Sequence, residues 1–153
     1  AICEYVEELH PEPSLIGRTP EQRAETRMWA RRVDLNICEP VVNAFRFGPA
    51  GWRRFSDRFS LAPEAAEAMR RVARINLAWL DGQMADRLFL CGDRFTLADI
   101  LLYVTVQFGV EVGQLLDPEW GALNDWFVRV AARPAAAASA QSRVEAMALS
   151  GTI

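Results

Sequence analysis

Leu90-Cys91-Gly92-Asp93-Arg94-Phe95-Thr96-Leu97-Ala98-Asp99-Ile100 is the stretch whose reading decides the fold of this chain. Gly92 marks a tight turn. Thr96 stands at a helix N-cap with Asp99 three residues on. The threonine oxygen can accept from the Asp99 backbone N–H, and the aspartate can accept in return from the Thr96 N–H. Phe95 and Ile100 occupy the two positions of a hydrophobic staple. Leu101, Leu102, Tyr103, Val104, Val106 and Phe108 follow. A segment apolar nearly all round belongs in the centre of a bundle. Its β-branched residues admit a strand, but the capping box argues for a helix.

Upstream, Pro63 opens a helix running to about Leu88, with Ala66, Met69, Ala73, Leu77, Leu80 and Met84 facing inward. Thr19-Pro20-Glu21-Gln22 starts a longer one: Thr19 caps, Pro20 fits the first helical position and Gln22 can complete a capping box. It runs to about Phe47, with Trp29, Val33, Ile37, Val41, Ala44 and Phe45 as its apolar stripe and a kink expected at Pro40. Gly48-Pro49-Ala50-Gly51 ends it, and Trp52 to Leu61 reads as irregular. Ala1 to Leu9 is helical, with Ile2, Tyr5, Val6 and Leu9 on one face and no capping residue before them. His10 to Arg18, with Pro11, Pro13 and Gly17, is a linker. Downstream, Asp117-Pro118 starts a helix with Leu123, Trp126, Phe127 and Val130 inward. Arg133-Pro134 breaks it, and an alanine-rich helix covers Pro134 to about Leu149. The reading is an all-α bundle of six helical segments, divided into 1–18 (the end of a preceding helix plus a linker) and 19–153 (the bundle).

The totals narrow the function. With 153 residues the chain is long enough for one domain with a core. All 17 cations are arginine, spread along the chain against 20 acids, for a net charge of −3. Neither a basic stripe for nucleic acid nor a polybasic membrane segment is present, and no apolar run reaches the ~20 residues of a membrane span. Cys3, Cys38 and Cys91 are far apart and odd in number, which fits a reducing cytoplasm better than a disulfide framework. One histidine, His10, and no cysteine cluster make a metal site improbable. Each cysteine is expected to be an inert buried thiol.

Taken together, the signals resemble the C-terminal helical domain of the cytosolic glutathione S-transferases. Ala1-Ile2-Cys3-Glu4-Tyr5-Val6 looks like the end of the helix leading out of that family's first domain, and His10 to Arg18 like its interdomain linker. Leu90 to Ile100 looks like its signature turn and capped helix. Trp126-Phe127 with Ala132-Arg133-Pro134-Ala135 looks like its penultimate helix and exit. The resemblance implies a missing N-terminal thioredoxin-like domain that holds most of the glutathione site and the thiol-activating residue, so no catalytic residue is assigned in this chain. It implies glutathione as co-substrate, a small hydrophobic electrophile as second substrate, a cytoplasmic homodimer, and a reaction in which glutathione thiolate attacks the electrophile.

On that basis the kinked long helix is the natural pocket wall. Asn36, Asn43 and Phe47 are the substrate-binding candidates there, with Tyr103 and Phe108 from the central helix; the simpler reading of Tyr103 and Phe108 is core. Arg27, Arg31 and Arg32 fall where the family lines its subunit interface and approaches glutathione, although the simpler reading of each is a solvated charged face. Two readings stay open beside the transferase. One is a non-catalytic interaction module, of the kind found in translation elongation factor subunits and some aminoacyl-tRNA synthetases. The other is a free-standing bundle that binds a hydrophobic ligand. Thr96 and Asp99 are assigned to capping alone, and loss of that cap by Asp99→Ala is expected to cost at least ~1 kcal/mol in stability.

Overall fold

The computed structural model describes residues 1–114 and 116–139. Its helices are α1 (Ile2–Leu9), α2 (Pro20–Val33), a π-helical turn (Asp34–Cys38), α3 (Glu39–Phe47), α4 (Pro49–Arg54), α5 (Pro63–Met84), α6 (Leu97–Glu111) and α7 (Gly121–Ala131). Residues 134–139 are again helical; the rest of the expected alanine-rich helix lies outside the described residues. Among the described residues there is no strand, only isolated bridges at Phe89–Gly92 and Cys91–Arg94 within the signature turn.

The core forms where the apolar stripes meet. Trp29, Val33, Ile37 and Val41 from the α2–α3 run pack with Ala73, Leu77, Leu80 and Met84 of α5, Leu102 and Val106 of α6, and Leu123, Trp126 and Val130 of α7. Spacings of three and four residues put each set on one helix face. Full burial of each large apolar side chain contributes roughly 1.5–3 kcal/mol. Met69, Phe45 and Phe127 are half-buried at the edges of the expected stripes.

The long helix is interrupted differently from the expectation. The Glu39 N–H donates to the Asp34 carbonyl five residues back, which makes Asp34–Cys38 a π turn. This turn lies just before Pro40, so the missing proline N–H falls in the first turn of α3, where no partner is needed. Three boundaries are corrected. α5 ends at Met84 and not near Leu88. Pro49 does not sit in a terminating loop but opens α4, with Gly51 packed so closely on α3 that a Cβ there would lie 2.3 Å from the Phe45 carbonyl oxygen. Asp117-Pro118 forms a turn, with the Trp120 N–H bonding the Asp117 carbonyl at 3.1 Å, and α7 starts at Gly121. Asp81 of α5 supplies the cap for α7 by accepting from the Leu123 N–H at 2.8 Å. A cap supplied by another helix leaves no local sequence signal.

Glu7 fixes the linker. Its carboxylate accepts from the Ser14 hydroxyl and from the Leu15 and Ile16 N–H groups at 2.9–3.1 Å. Ile16 is thereby pressed into the protein, and the Leu97 N–H donates to the Leu15 carbonyl at 2.9 Å. At α2, Thr19 accepts from Gln22 N–H at 3.3 Å, while Gln22 reaches back to Arg18 N–H rather than to Thr19.

The capping box at α6 forms as the spacing predicts, and it does more. Asp99 is fully buried. One carboxylate oxygen accepts from the Thr96 N–H at 2.9 Å and the Thr96 hydroxyl at 3.1 Å. The other accepts from the Leu90 N–H and the Trp126 indole N–H, each at 3.0 Å. Burial pushes the Asp99 carboxyl above the ordinary aspartate range, while these four donors pull it back down. Asp99→Ala strands three buried N–H donors, so it should cost about 3–5 kcal/mol and lower Tm by roughly 10 °C. Trp126→Phe, which removes one donor, should cost about 1–2 kcal/mol. A loss of less than ~1 kcal/mol for Asp99→Ala, measured by urea denaturation, would remove Asp99 from this role.

Candidate functional site

The linker, α2 and the start of α6 together bound an open groove of about 260 Å³. Its floor is Ile16, Ala30, Leu97 and Leu101, and its rim carries Glu4, Arg27, Arg31 and Asp34. Arg27 donates to Glu4 at 2.7 Å, and this bond holds the Glu4 carboxyl below its usual range. Arg31 pairs with Asp34 at 2.8 Å, one helical turn on. The groove therefore presents two guanidinium groups beside an apolar floor, each tethered by an exposed carboxylate. Exposed pairs of this kind contribute little to stability, so they can exchange partners for an incoming anion at low cost. Arg32 does not line the groove; its guanidinium lies 5.4 Å from the centre of the Trp29 ring, as does that of Arg87.

The substrate candidates divide into two groups. Asn36 is exposed on the π turn. Asn43 is half-buried on α3, donating to Glu39 at 3.1 Å and accepting from Arg46 at 3.3 Å. Phe47 is half-buried one turn further on, where its carbonyl accepts from the Ala62 N–H at 2.9 Å. Tyr103 and Phe108 point elsewhere. Tyr103 is buried with its ring 5.2 Å from that of Phe127 on α7. Phe108 is half-buried and packs edge-on against Phe45 of α3 at 5.3 Å. Five residues along a helix rotate a side chain by more than a third of a turn, so these two aromatics face different neighbours.

Sequence reasoning missed the acids Glu4 and Asp34. The three-residue spacing of Arg31 and Asp34 was a usable signal. Glu4 and Arg27 are joined only by the folding back of the linker. It also missed a second cavity of about 260 Å³ between α3, α5 and the α6–α7 connection, lined by Arg70, Arg71 and Arg74.

The cysteines require one correction. Cys38 and Cys91 are buried, but Cys3 is exposed because α1 buries none of its residues. Burial pushes the Cys38 thiol up to about 11, against a hydrogen bond with the Thr105 hydroxyl at 2.8 Å that acts in the opposite sense. Burial likewise raises Cys91. No group of three His, Cys, Asp or Glu residues able to hold a metal occurs among the described residues. No helix among them is long and apolar enough to cross a membrane.

The sequence profile of the family described as "Glutathione S-transferase, C-terminal domain" matches residues 39–134. Glutathione S-transferase 2 of Saccharomyces cerevisiae is 28% identical over 134 residues, covering 88% of this chain and 57% of that protein. FtsZ-localized protein A of Caulobacter vibrioides is 27% identical over 134 residues, covering 88% and 58%. The crystal structure of Gtt2 from Saccharomyces cerevisiae superposes with a TM-score of 0.82 at 27% identity, over 89% of this chain and 65% of that one. The chain thus spans somewhat more than half the length of these two relatives.

Two thiol measurements follow. In the native chain a disulfide reagent should label one cysteine, Cys3, rapidly, and Cys38 and Cys91 only on unfolding. Rapid native labelling of three thiols would contradict the burial. The folded-state value of Cys38 lies above its ordinary value near 9, so the stability it contributes is full below pH ~9 and is lost as pH rises towards ~11. Urea midpoints should fall across that window by the equivalent of about 2–3 kcal/mol, and Cys38→Ala should flatten the fall. Cys91, raised in the same sense, adds to the fall in both proteins, and the chain has no lysine to titrate there. Parallel curves for wild type and variant would exclude Cys38 as the cause.

Proposed function

Since the chain belongs to the glutathione S-transferase C-terminal domain family, we propose that it is the helical half of a glutathione transferase. In the whole protein, a thioredoxin-like domain binds glutathione and lowers its thiol pKa. The thiolate then attacks a small hydrophobic electrophile, a carbon–sulfur bond forms, and the leaving group departs with its electron pair. This chain supplies the electrophile's wall and part of the glutathione approach.

The observation that carries this reading is the uncovered apolar face of α1. Ile2, Tyr5, Val6 and Leu9 are 49% to 80% exposed, although they share one stripe. A stripe of this kind is ordinarily covered by a partner surface. On its other side the same helix meets the groove of Arg27 and Arg31 through Glu4, and those guanidiniums suit a carboxylate such as those of glutathione. Asn36, Asn43 and Phe47 line the electrophile side on the exposed edge of the π turn and α3. Tyr103 and Phe108 shape it from within by bracing α6 against α7 and α3. Arg32 belongs to a subunit contact across α2 and α5, where Met28, Ile75 and Trp79 are also exposed. The protein works as a cytoplasmic homodimer.

A second reading has its own support. The similarity to FtsZ-localized protein A, whose name describes recruitment to another protein, favours a non-catalytic interaction module.

Reading the coding DNA upstream of Ala1 and expressing the open frame through Ile153 separates the two. The transferase reading expects alternating strands and helices there, and turnover of glutathione with 1-chloro-2,4-dinitrobenzene. In that protein Arg27→Ala with Arg31→Ala should raise KM for glutathione at least ~10-fold, corresponding to one lost charge-assisted bond. Phe47→Ala should raise KM for the electrophile and leave that for glutathione unchanged. A folded protein without turnover or glutathione binding would leave the interaction module as the function.

A further inference from the structure

A second cavity lies apart from the Arg27–Arg31 groove. It opens between α3, α5 and the α6–α7 connection, and none of the residues lining the Arg27–Arg31 groove lines it. Its inner wall is apolar: Val41, Ala73, Leu77, Val106 and Leu116. One end is held rigid by Gln114, which donates to the Val41 carbonyl at 3.0 Å and, from its backbone, to the Gly109 carbonyl at 2.7 Å. Trp120 forms an aromatic side wall, with the Arg74 guanidinium 5.6 Å from its ring centre.

The rim is cationic. Arg70, Arg71 and Arg74 follow the α5 helix at positions that share one face. Arg70 and Arg71 divide a single carboxylate, Glu67, at 3.0 and 3.7 Å, while Arg74 is paired with Asp117. Three guanidiniums thus meet two carboxylates, leaving a surplus of one positive charge over an apolar floor. Both Glu67 pairs are half-exposed and weak, so their donors can turn to a ligand. A guanidinium fork matches a carboxylate in two parallel hydrogen bonds.

We propose that this cleft is a separate binding site for a small aromatic monocarboxylate. The carboxylate sits between Arg70 and Arg71 at the rim, and the ring lies on the apolar wall beside Trp120. At about 260 Å³ the cavity falls just under the range of sites for drug-sized ligands, which limits the occupant to one or two rings. The single surplus charge selects a monoanion over a phosphate-rich ligand. The site does not depend on the transferase reading, because no residue assigned to glutathione or electrophile takes part.

The test is a titration of the ¹⁵N-labelled chain with 2-naphthoate and, separately, with uncharged 2-naphthamide. The site expects saturable shifts of the Trp120 indole N–H, with the Trp52 indole and the Arg27 and Arg31 signals unmoved. It expects 2-naphthamide to bind at least ~10-fold more weakly, the equivalent of about one charge-assisted hydrogen bond. Arg70→Gln with Arg71→Gln should weaken 2-naphthoate by a similar factor, with Tm close to wild type because both side chains are at the surface. Unsaturated shifts spread over exposed aromatics such as Trp52 would overturn the proposal. So would equal affinity for acid and amide in the wild-type chain, a comparison that stands whether or not the double variant folds.

Discussion

The carboxylate of Asp99 is the interaction on which the bundle depends. It is fully buried and surrounded by four donors from three parts of the chain: the turn at Leu90, the cap at Thr96 and the indole of Trp126 on α7. A charge in an apolar interior is tolerated only when its hydrogen-bonding capacity is filled. The consequence runs the other way as well. Turn, helix start and α7 must all be in register before the carboxylate can be buried, so the group rewards only the complete arrangement. Leu97, one residue past the cap, carries the order further by bonding to the linker, and the linker is fixed to α1 by Glu7.

The second constraint is the π turn before Pro40. A proline inside a continuous α-helix removes a hydrogen bond and clashes with the preceding turn. The extra residue of the π turn relieves this and changes the phase between α2 and α3. Ile37 and Cys38 remain buried while Leu35 and Asn36 are turned outward. The division separates two surfaces of different chemistry. The α2 side faces the groove with Arg27 and Arg31. The α3 side offers Asn43 and Phe47 on one edge and Val41 to the arginine-rimmed cleft on the other.

Arginine as the sole long cation shapes both cavities. Arg27 and Arg31 rim the groove and Arg70, Arg71 and Arg74 the cleft; Arg74 also lies over Trp120, while Arg32 and Arg87, outside both cavities, flank Trp29. Apart from Arg74–Asp117, whose carboxylate is largely buried, the pairs on the two rims are at least partly exposed, so they add little to folding and remain available for binding.

The sequence by itself determined what is local. The Thr96–Asp99 spacing, the Thr19–Pro20 start, the four-residue stripes of α5 and the breaks at Pro11, Pro13 and Pro134 report on contacts within a few residues, which side-chain type and spacing encode directly. The Leu90 and Trp126 bonds to Asp99, the Asp81 cap of α7 and the Glu4–Arg27 pair span 9 to 42 residues and leave no periodic trace. The same limit explains why Tyr103 and Phe108, both on α6, turn to different helices, and why Cys3 stands exposed on a helix whose sequence is amphipathic. Which face of a helix is covered depends on what packs against it, and only the tertiary structure decides that.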